Sequence, residues 1–295
     1  MYKNIGLSSF VAGALFVAAC GGAGDSGGSI RESEPSPTTG DYVLVWSDEF
    51  DGDVGQWVDS SKWTSLVGGS GWGQSTLDYK TNATDPASPN FTTSNAYLDG
   101  MGHLTLRAIR ETIPFDTCWY GQCDFTSALL VTAGKLELRY GRVEIRMKTP
   151  PGRGFWPAFW MYGANGDLWG EIDIVEIIGR DPEGVYQAAH GEGFTGGLIS
   201  LRQAVSDSSV ASDFHEYAVE WRPEELIFFL DGRVTGVISP RSLPSGVPWP
   251  FDSFGAYLIL DLAVGSDSSW SGAPTEETPF PAELMVDYVR VYNFN

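Results

Sequence analysis

Gly170-Glu171-Ile172-Asp173-Ile174-Val175-Glu176-Ile177-Ile178-Gly179 sets three acids inside a run that is otherwise β-branched and apolar. β-Branched residues suit a strand, and burying three charges without a purpose would be costly. In a regular strand Glu171 and Asp173 share a face, whereas Glu176, an odd number of positions further on, points to the other. A β-bulge between Asp173 and Glu176 absorbs one residue and turns all three acids the same way. The sequence therefore predicts a bulge at Ile174-Val175, with Ile172, Ile174 and Val175 packing a core and the opposite face bearing the carboxylates.

Outward from this strand the chain repeats short alternating or β-branched runs between Gly, Pro, Asn and Asp. Examples are His103 to Arg107, Gly141 to Met147, and Glu225 to Leu230 before the turn Asp231-Gly232. Long stretches with helical spacing are missing, which predicts an all-β chain. Such strands must cover their apolar faces, and a two-sheet antiparallel β-sandwich over residues 42–295 does so in one domain. The last run, Leu284 to Tyr292, should pin the C-terminal end into a sheet.

Acidic residues outnumber basic ones 38 to 18 in the 295-residue chain, a formal charge of -20. That balance repels a phosphate backbone and excludes nucleic acid as a partner, while a neutral polymer stays open. Lys3 followed by the apolar Phe10 to Val17 reads as an export signal over residues 1–19, too short for a permanent membrane span. Val17-Ala18-Ala19-Cys20 resembles the lipobox of bacterial lipoproteins, which implies lipid on Cys20 and an exported, membrane-anchored protein at the cell surface or periplasmic face. An ordinary secretory peptide is the alternative. Residues 20–41, mostly Gly, Ser, Pro and Thr, offer little to bury and read as a flexible linker. Cys118 and Cys123 flank a short segment and should form a disulfide in an exported chain, since two thiols alone make a poor zinc site.

With the bulge in place, the Glu171 and Glu176 carboxyl groups would lie about 5–5.5 Å apart, the spacing of retaining glycoside hydrolysis. Asp173 would stand between them. Three crowded carboxyls cannot all ionise freely, so one retains the proton that an acid catalyst needs. Eleven tryptophans add indole faces that pack on the C–H faces of sugars.

At the same strand the chain resembles the family 16 glycoside hydrolases through their Glu-x-Asp-x-x-Glu signature. The resemblance runs from Trp46-Ser47-Asp48-Glu49-Phe50-Asp51-Gly52, through Gly154-Phe155-Trp156-Pro157-Ala158-Phe159-Trp160 and Phe214-His215-Glu216-Tyr217, to Val286-Asp287-Tyr288-Val289-Arg290. It implies a concanavalin A-like jelly roll with a concave cleft. Residue by residue it implies Glu171 as nucleophile, Glu176 as general acid and then base, and Asp173 as the partner that tunes them. Trp156 and Trp160 are implied in the cleft, with Trp169 and Trp72 as further sugar contacts. His190, before a glycine-rich stretch expected to be a loop, is implied near the cleft, whereas His103 and His215 read as structural.

Three departures from the family pattern concern substrate: Gln74-Ser75-Thr76 where Asn-Asn-Glu is frequent, Leu129 where arginine is common, and Asp261 where asparagine is usual. A structural calcium is implied on the convex side, held by Asp287 and the backbone carbonyl of Glu49, and the chemistry itself needs no cofactor. The expected activity is endo-hydrolysis of β-1,3-glucan by a laminarinase-type monomer. Alternatives are action on mixed-linkage glucan or agarose-type galactan, transglycosylation, or a non-catalytic glucan-binding sandwich, against which both glutamates speak.

Overall fold

The computed structural model describes residues 42–82, 95–113, 118–165, 168–194, 197–206, 210–211 and 213–295. The expected export signal, Cys20 and the linker lie outside the described residues. In chain order the strands begin with β1 (Tyr42–Asp48), β2 (Thr64–Ser65), β3 (Asp78–Lys80), β4 (Ala96–Leu98), β5 (Leu104–Arg110), β6 (Phe125–Ser127), β7 (Leu129–Val131) and β8 (Gly141–Lys148). They continue with β9 (Phe155–Asn165), β10 (Leu168–Ile178), β11 (Asp181–Phe194), β12 (Gly197–Ser206), β13 (His215–Arg222), β14 (Glu225–Leu230), β15 (Arg233–Ile238), β16 (Ala256–Val264) and β17 (Ala282–Phe294). Apart from a 3-10 turn at Pro240–Ser242, the described residues hold no helix.

Two sheets result. The larger runs β15-β14-β13-β8-β17-β5-β6-β3, with β1 added to β17 and β4 to β5; the smaller runs β12-β11-β10-β9-β16-β7-β2. All-β architecture in two stacked sheets is what the alternation predicted. One pairing departs from it: β3 and β6 are parallel. Hairpins cannot make a parallel pair, but the long chain between Lys80 and Phe125 supplies the crossover.

Alternation along the strands separates the faces. Phe155, Phe159 and Met161 of β9, Ile172, Ile174 and Ile177 of β10, and Leu258, Leu260 and Leu262 of β16 are buried toward the larger sheet. There they meet Val143 and Ile145 of β8, Val219 and Trp221 of β13, and Val286, Val289 and Val291 of β17 in one cluster. Each such side chain contributes about 1.5–3 kcal/mol on burial. Strand β17 is interior, paired with β8 on one side and with β1 and β5 on the other. The expectation of a pinned C-terminal strand is met.

The smaller sheet's other face carries a second cluster, Leu129, Val131 and Ile259 with Trp72, Trp160, Tyr162 and Tyr257. Residues 191–194 of the glycine-rich stretch after His190 are strand, not loop: β11 continues to Phe194 and pairs with β12. Gly191 fits there because a Cβ would lie 2.9 Å from Pro250 Cγ and 3.2 Å from the Trp169 carbonyl. The disulfide Cys118–Cys123 is formed, and the Trp119 amide within its loop bonds the Gly69 carbonyl at 2.8 Å.

Candidate active site

Strand β10 carries the predicted bulge. Against β9, Asp173 pairs with Trp160 and the next pair is Val175 with Phe159; against β11, Asp173 pairs with Ala188 and Glu176 with Tyr186. Ile174 and Val175 together therefore face one residue, Gln187. Its fully buried amide donates to the Ile174 carbonyl at 2.9 Å and to the Phe229 carbonyl of β14 at 3.2 Å, and its oxygen accepts from the Thr235 hydroxyl of β15. A carbonyl displaced by the bulge is thus satisfied by a side chain that also reaches the opposite sheet, as a buried acceptor requires.

Beyond the bulge the acids line up with neighbours on both sides. Glu171 lies between His190 and Tyr162, Asp173 between Ala188 and Trp160, and Glu176 between Tyr186 and Ala158. Strand β16 extends these rows with Tyr257, Ile259 and Asp261. Of these, Glu171, Asp173, Glu176, Ala158, Trp160, Tyr257, Ile259 and Asp261 line an open cavity, which Trp72, Gln74 and Thr76 from the β2–β3 connection also border.

His190 Nε2 stands 3.0 Å from Asp173 Oδ2, and one ligating atom each of Glu171, Asp173 and His190 fall within 4.8 Å of one another. Trp156 Nε1 donates to Glu176 Oε1 at 3.0 Å. Burial pushes the Glu171 carboxyl up to about 8, with Asp173 and Glu176 adding to the rise and His190 opposing it. Because the acids share this space, the retained proton belongs to the group rather than to one oxygen. It can occupy one carboxyl while another is charged.

Of the aromatic residues singled out in the sequence, Trp72, Trp156 and Trp160 border the cavity. Trp156 leans edge-on against Trp270, which in turn meets Tyr186. Trp169 stands outside the cavity lining, stacked on Tyr162 with ring centroids 6.2 Å apart. His103 and His215 pair with Asp99 and Asp231 away from the acids.

Tyr257 was not among the residues expected at the site, and Asp261 entered only as a departure that concerns substrate; both border the cavity. Tyr257 and Asp261 follow the alternation Tyr257, Ile259, Asp261, Ala263 on β16, a signal present in the sequence. Asp261 is held from below by Lys80, whose ammonium also pairs with Asp78 at 2.7 Å. Burial raises the Asp261 carboxyl to about 6 against the pull of Lys80.

On the larger sheet, Asp287 accepts from Arg146 at 2.5 Å, and the Glu49 carboxylate is gripped by Arg290 at 2.7 and 3.0 Å. Calcium takes about six to eight oxygen ligands. Here it would find one carboxylate already bonded to a guanidinium, so this donor set does not fit the ion.

Two or more carboxyls facing a groove beside indole and phenol rings are the equipment for breaking a glycosidic bond. The fold and site thus define a glycoside hydrolase. The chain belongs to glycosyl hydrolases family 16, whose sequence model matches residues 80–278. It is 38% identical to a β-glucanase of Rhodothermus marinus over 91% of both chains. A second relative, glucan endo-1,3-β-glucosidase A1 of Niallia circulans, is 32% identical over 87% of this chain, which spans 38% of that longer protein. Among solved structures, the catalytic domain of an endo-1,3-β-glucanase (laminarinase) from Thermotoga petrophila superposes with a TM-score of 0.73 at 37% identity, over 87% of this chain and 99% of that one.

Proposed function

We propose that this enzyme is a retaining endo-acting hydrolase of β-1,3 linkages in β-glucans such as laminarin. One observation carries the mechanism: the bulge at Ile174-Val175 brings Glu171, Asp173 and Glu176 to one face of β10. The β-glucan substrate is supported by the relatives named above.

In the first step Glu171 attacks the anomeric carbon while Glu176 gives its proton to the glycosidic oxygen. The C–O bond breaks and a glycosyl ester forms on Glu171. In the second step Glu176 takes a proton from water, the water oxygen attacks the same carbon, and Glu171 leaves as a carboxylate with net retention. Trp156 orients Glu176 through its N–H, and Asp173, steadied by His190, stands between the two glutamates on the strand. Trp160 and Trp72 offer ring faces to neighbouring sugars.

New reducing ends from laminarin, lichenan and agarose, with product anomers read by NMR, test this reading. Release from laminarin with β-configured products is the expected result. Cleavage of agarose alone would replace the glucan by a galactan, and no cleavage of any polymer would favour a binding module. The lipid anchor belongs to the same proposal: a mature N-terminus beyond Cys20 by mass spectrometry would remove it.

A further inference from the structure

Asp261 is a fourth carboxylate at the cavity, and no step of the double displacement uses it. It is in register with Ala158 of β9, which is in register with Glu176 of β10. One strand therefore separates the two acids, roughly 10 Å from backbone to backbone at the usual strand spacing.

Lys80 beneath it is fully buried, and its ammonium meets the Asp261 carboxylate, the Asp78 carboxylate and the Leu262 carbonyl. An ammonium has three donors. With two carboxylates and a carbonyl around it, Lys80 fixes Asp261 without offering a positive charge to a ligand. Asp78 is itself fixed by the Val264 amide at 2.8 Å. The Asp261 side chain remains 15% exposed and faces the cavity.

Its surroundings give an incoming anion no lysine or arginine to pair with. Leu129 is its register partner on β7. Four carboxylates, those of Glu171, Asp173, Glu176 and Asp261, border the cavity, and among the described residues no lysine or arginine does.

We infer that Asp261 forms a subsite that accepts hydrogen bonds from hydroxyl groups of an uncharged sugar ring and rejects polymers carrying sulfate or carboxylate groups at that ring. A carboxylate accepts but does not donate, and its bonds to hydroxyls are charge-assisted. Against an anionic substituent the same group is a repulsive element, and specificity often rests on such an element. The inference builds on the β-glucan reading and narrows it to unsubstituted chains.

Its test compares kcat/KM on laminarin and on carboxymethylated laminarin for wild type, D261N and L129R, with melting temperature as the check on folding. Wild type should prefer laminarin by at least about tenfold more than D261N does, and D261N should lose roughly tenfold on laminarin itself. L129R, which sets a cation opposite Asp261, should narrow the preference without removing the carboxylate; it decides the matter if D261N does not fold. Equal preference in all three proteins overturns the inference. Should wild type cleave neither polymer, the glucanase reading fails separately. Affinity electrophoresis of E171Q and E171Q/D261N in laminarin gels then still judges Asp261: weaker retardation of the double variant supports its subsite, and equal retardation removes it.

Discussion

Trp156 on β9 and Glu176 on β10 are joined by a 3.0 Å hydrogen bond from the indole N–H to Oε1. A residue that the sequence assigns to sugar stacking therefore also aims a carboxyl group. Replacing Trp156 by Phe keeps most of the ring and removes the donor. A lost hydrogen bond of about 1–2 kcal/mol corresponds to a fall in kcat of roughly 5- to 30-fold, with a smaller change in KM. Steady-state kinetics on laminarin decide it, and an unaltered kcat would leave the N–H without a role in catalysis.

Gln187 should matter to both stability and rate. Gln187→Met keeps the approximate size but leaves the Ile174 carbonyl and the Thr235 hydroxyl without their buried partner. A cost of about 1–3 kcal/mol follows. Urea denaturation measures that cost; kcat at a temperature well below the midpoint should fall as well, because the bulge sets the direction of Glu176. Lost stability with kcat intact would show that the bulge holds its shape without the amide.

For pH, Glu171 fixes the sign. Its carboxyl rises from 4.5 to about 8, so between those values the folded protein keeps a proton that the unfolded chain releases. Stability is then highest below about pH 4.5 as far as this group is concerned, and it declines as pH rises toward 8, by at most about 1.4 kcal/mol per pH unit. Glu171→Gln takes one acid out of the group that shares this proton, so it should flatten that slope and melt higher than wild type at pH 8, by roughly 2–4 °C for each kcal/mol. Calorimetry from pH 5 to 8 would count against the assignment if the two proteins changed in parallel.

Azide separates the roles of the two glutamates. Glu171→Gly should lose activity on the order of 10⁴-fold, as loss of a nucleophile does. With an activated β-glucoside, azide filling the gap attacks from the nucleophile's side and gives an α-glycosyl azide. In Glu176→Gly the ester still forms on Glu171, and azide opens it to the β-glycosyl azide. NMR of the products reads the anomers directly; interchanged anomers would exchange the two assignments.

Asp287 gives a prediction about metal. Because Arg146 already occupies its carboxylate, EDTA should leave the melting temperature within about 1 °C, and Asp287→Asn should cost no more than the ~1 kcal/mol of an exposed pair. A drop of several degrees in EDTA that calcium reverses would mean the ion displaces Arg146.

The acids of β10 were legible in sequence because their parity is broken: a strand that must place three carboxylates on one face needs an extra residue, and that residue can be located by counting. The sandwich was legible from alternation, a local signal. Asp261 with Lys80 and Asp78 was not, because these residues meet only when β3 and β16 come together, and a lysine in a short polar run carries no mark of burial. Gln187 was hidden likewise, since its partners lie on β10, β14 and β15. Trp169 shares the face of Glu171, as parity requires, and stacks there on Tyr162. Asp287 shows the limit of a backbone position, which says nothing of an arginine on the neighbouring strand.

The bulge also sets what the gene encoding this strand can tolerate. Loss of the codon for Ile174 or Val175 would return β10 to strict alternation, with Glu171, Asp173 and the following glutamate still on the cleft side. Loss of the codon for Ile172 would instead set Glu171 out of phase with the other two acids and turn it toward the core. A lineage of such enzymes can shorten this strand by one residue at one place without losing the face that bears its acids, and must keep its length at the other.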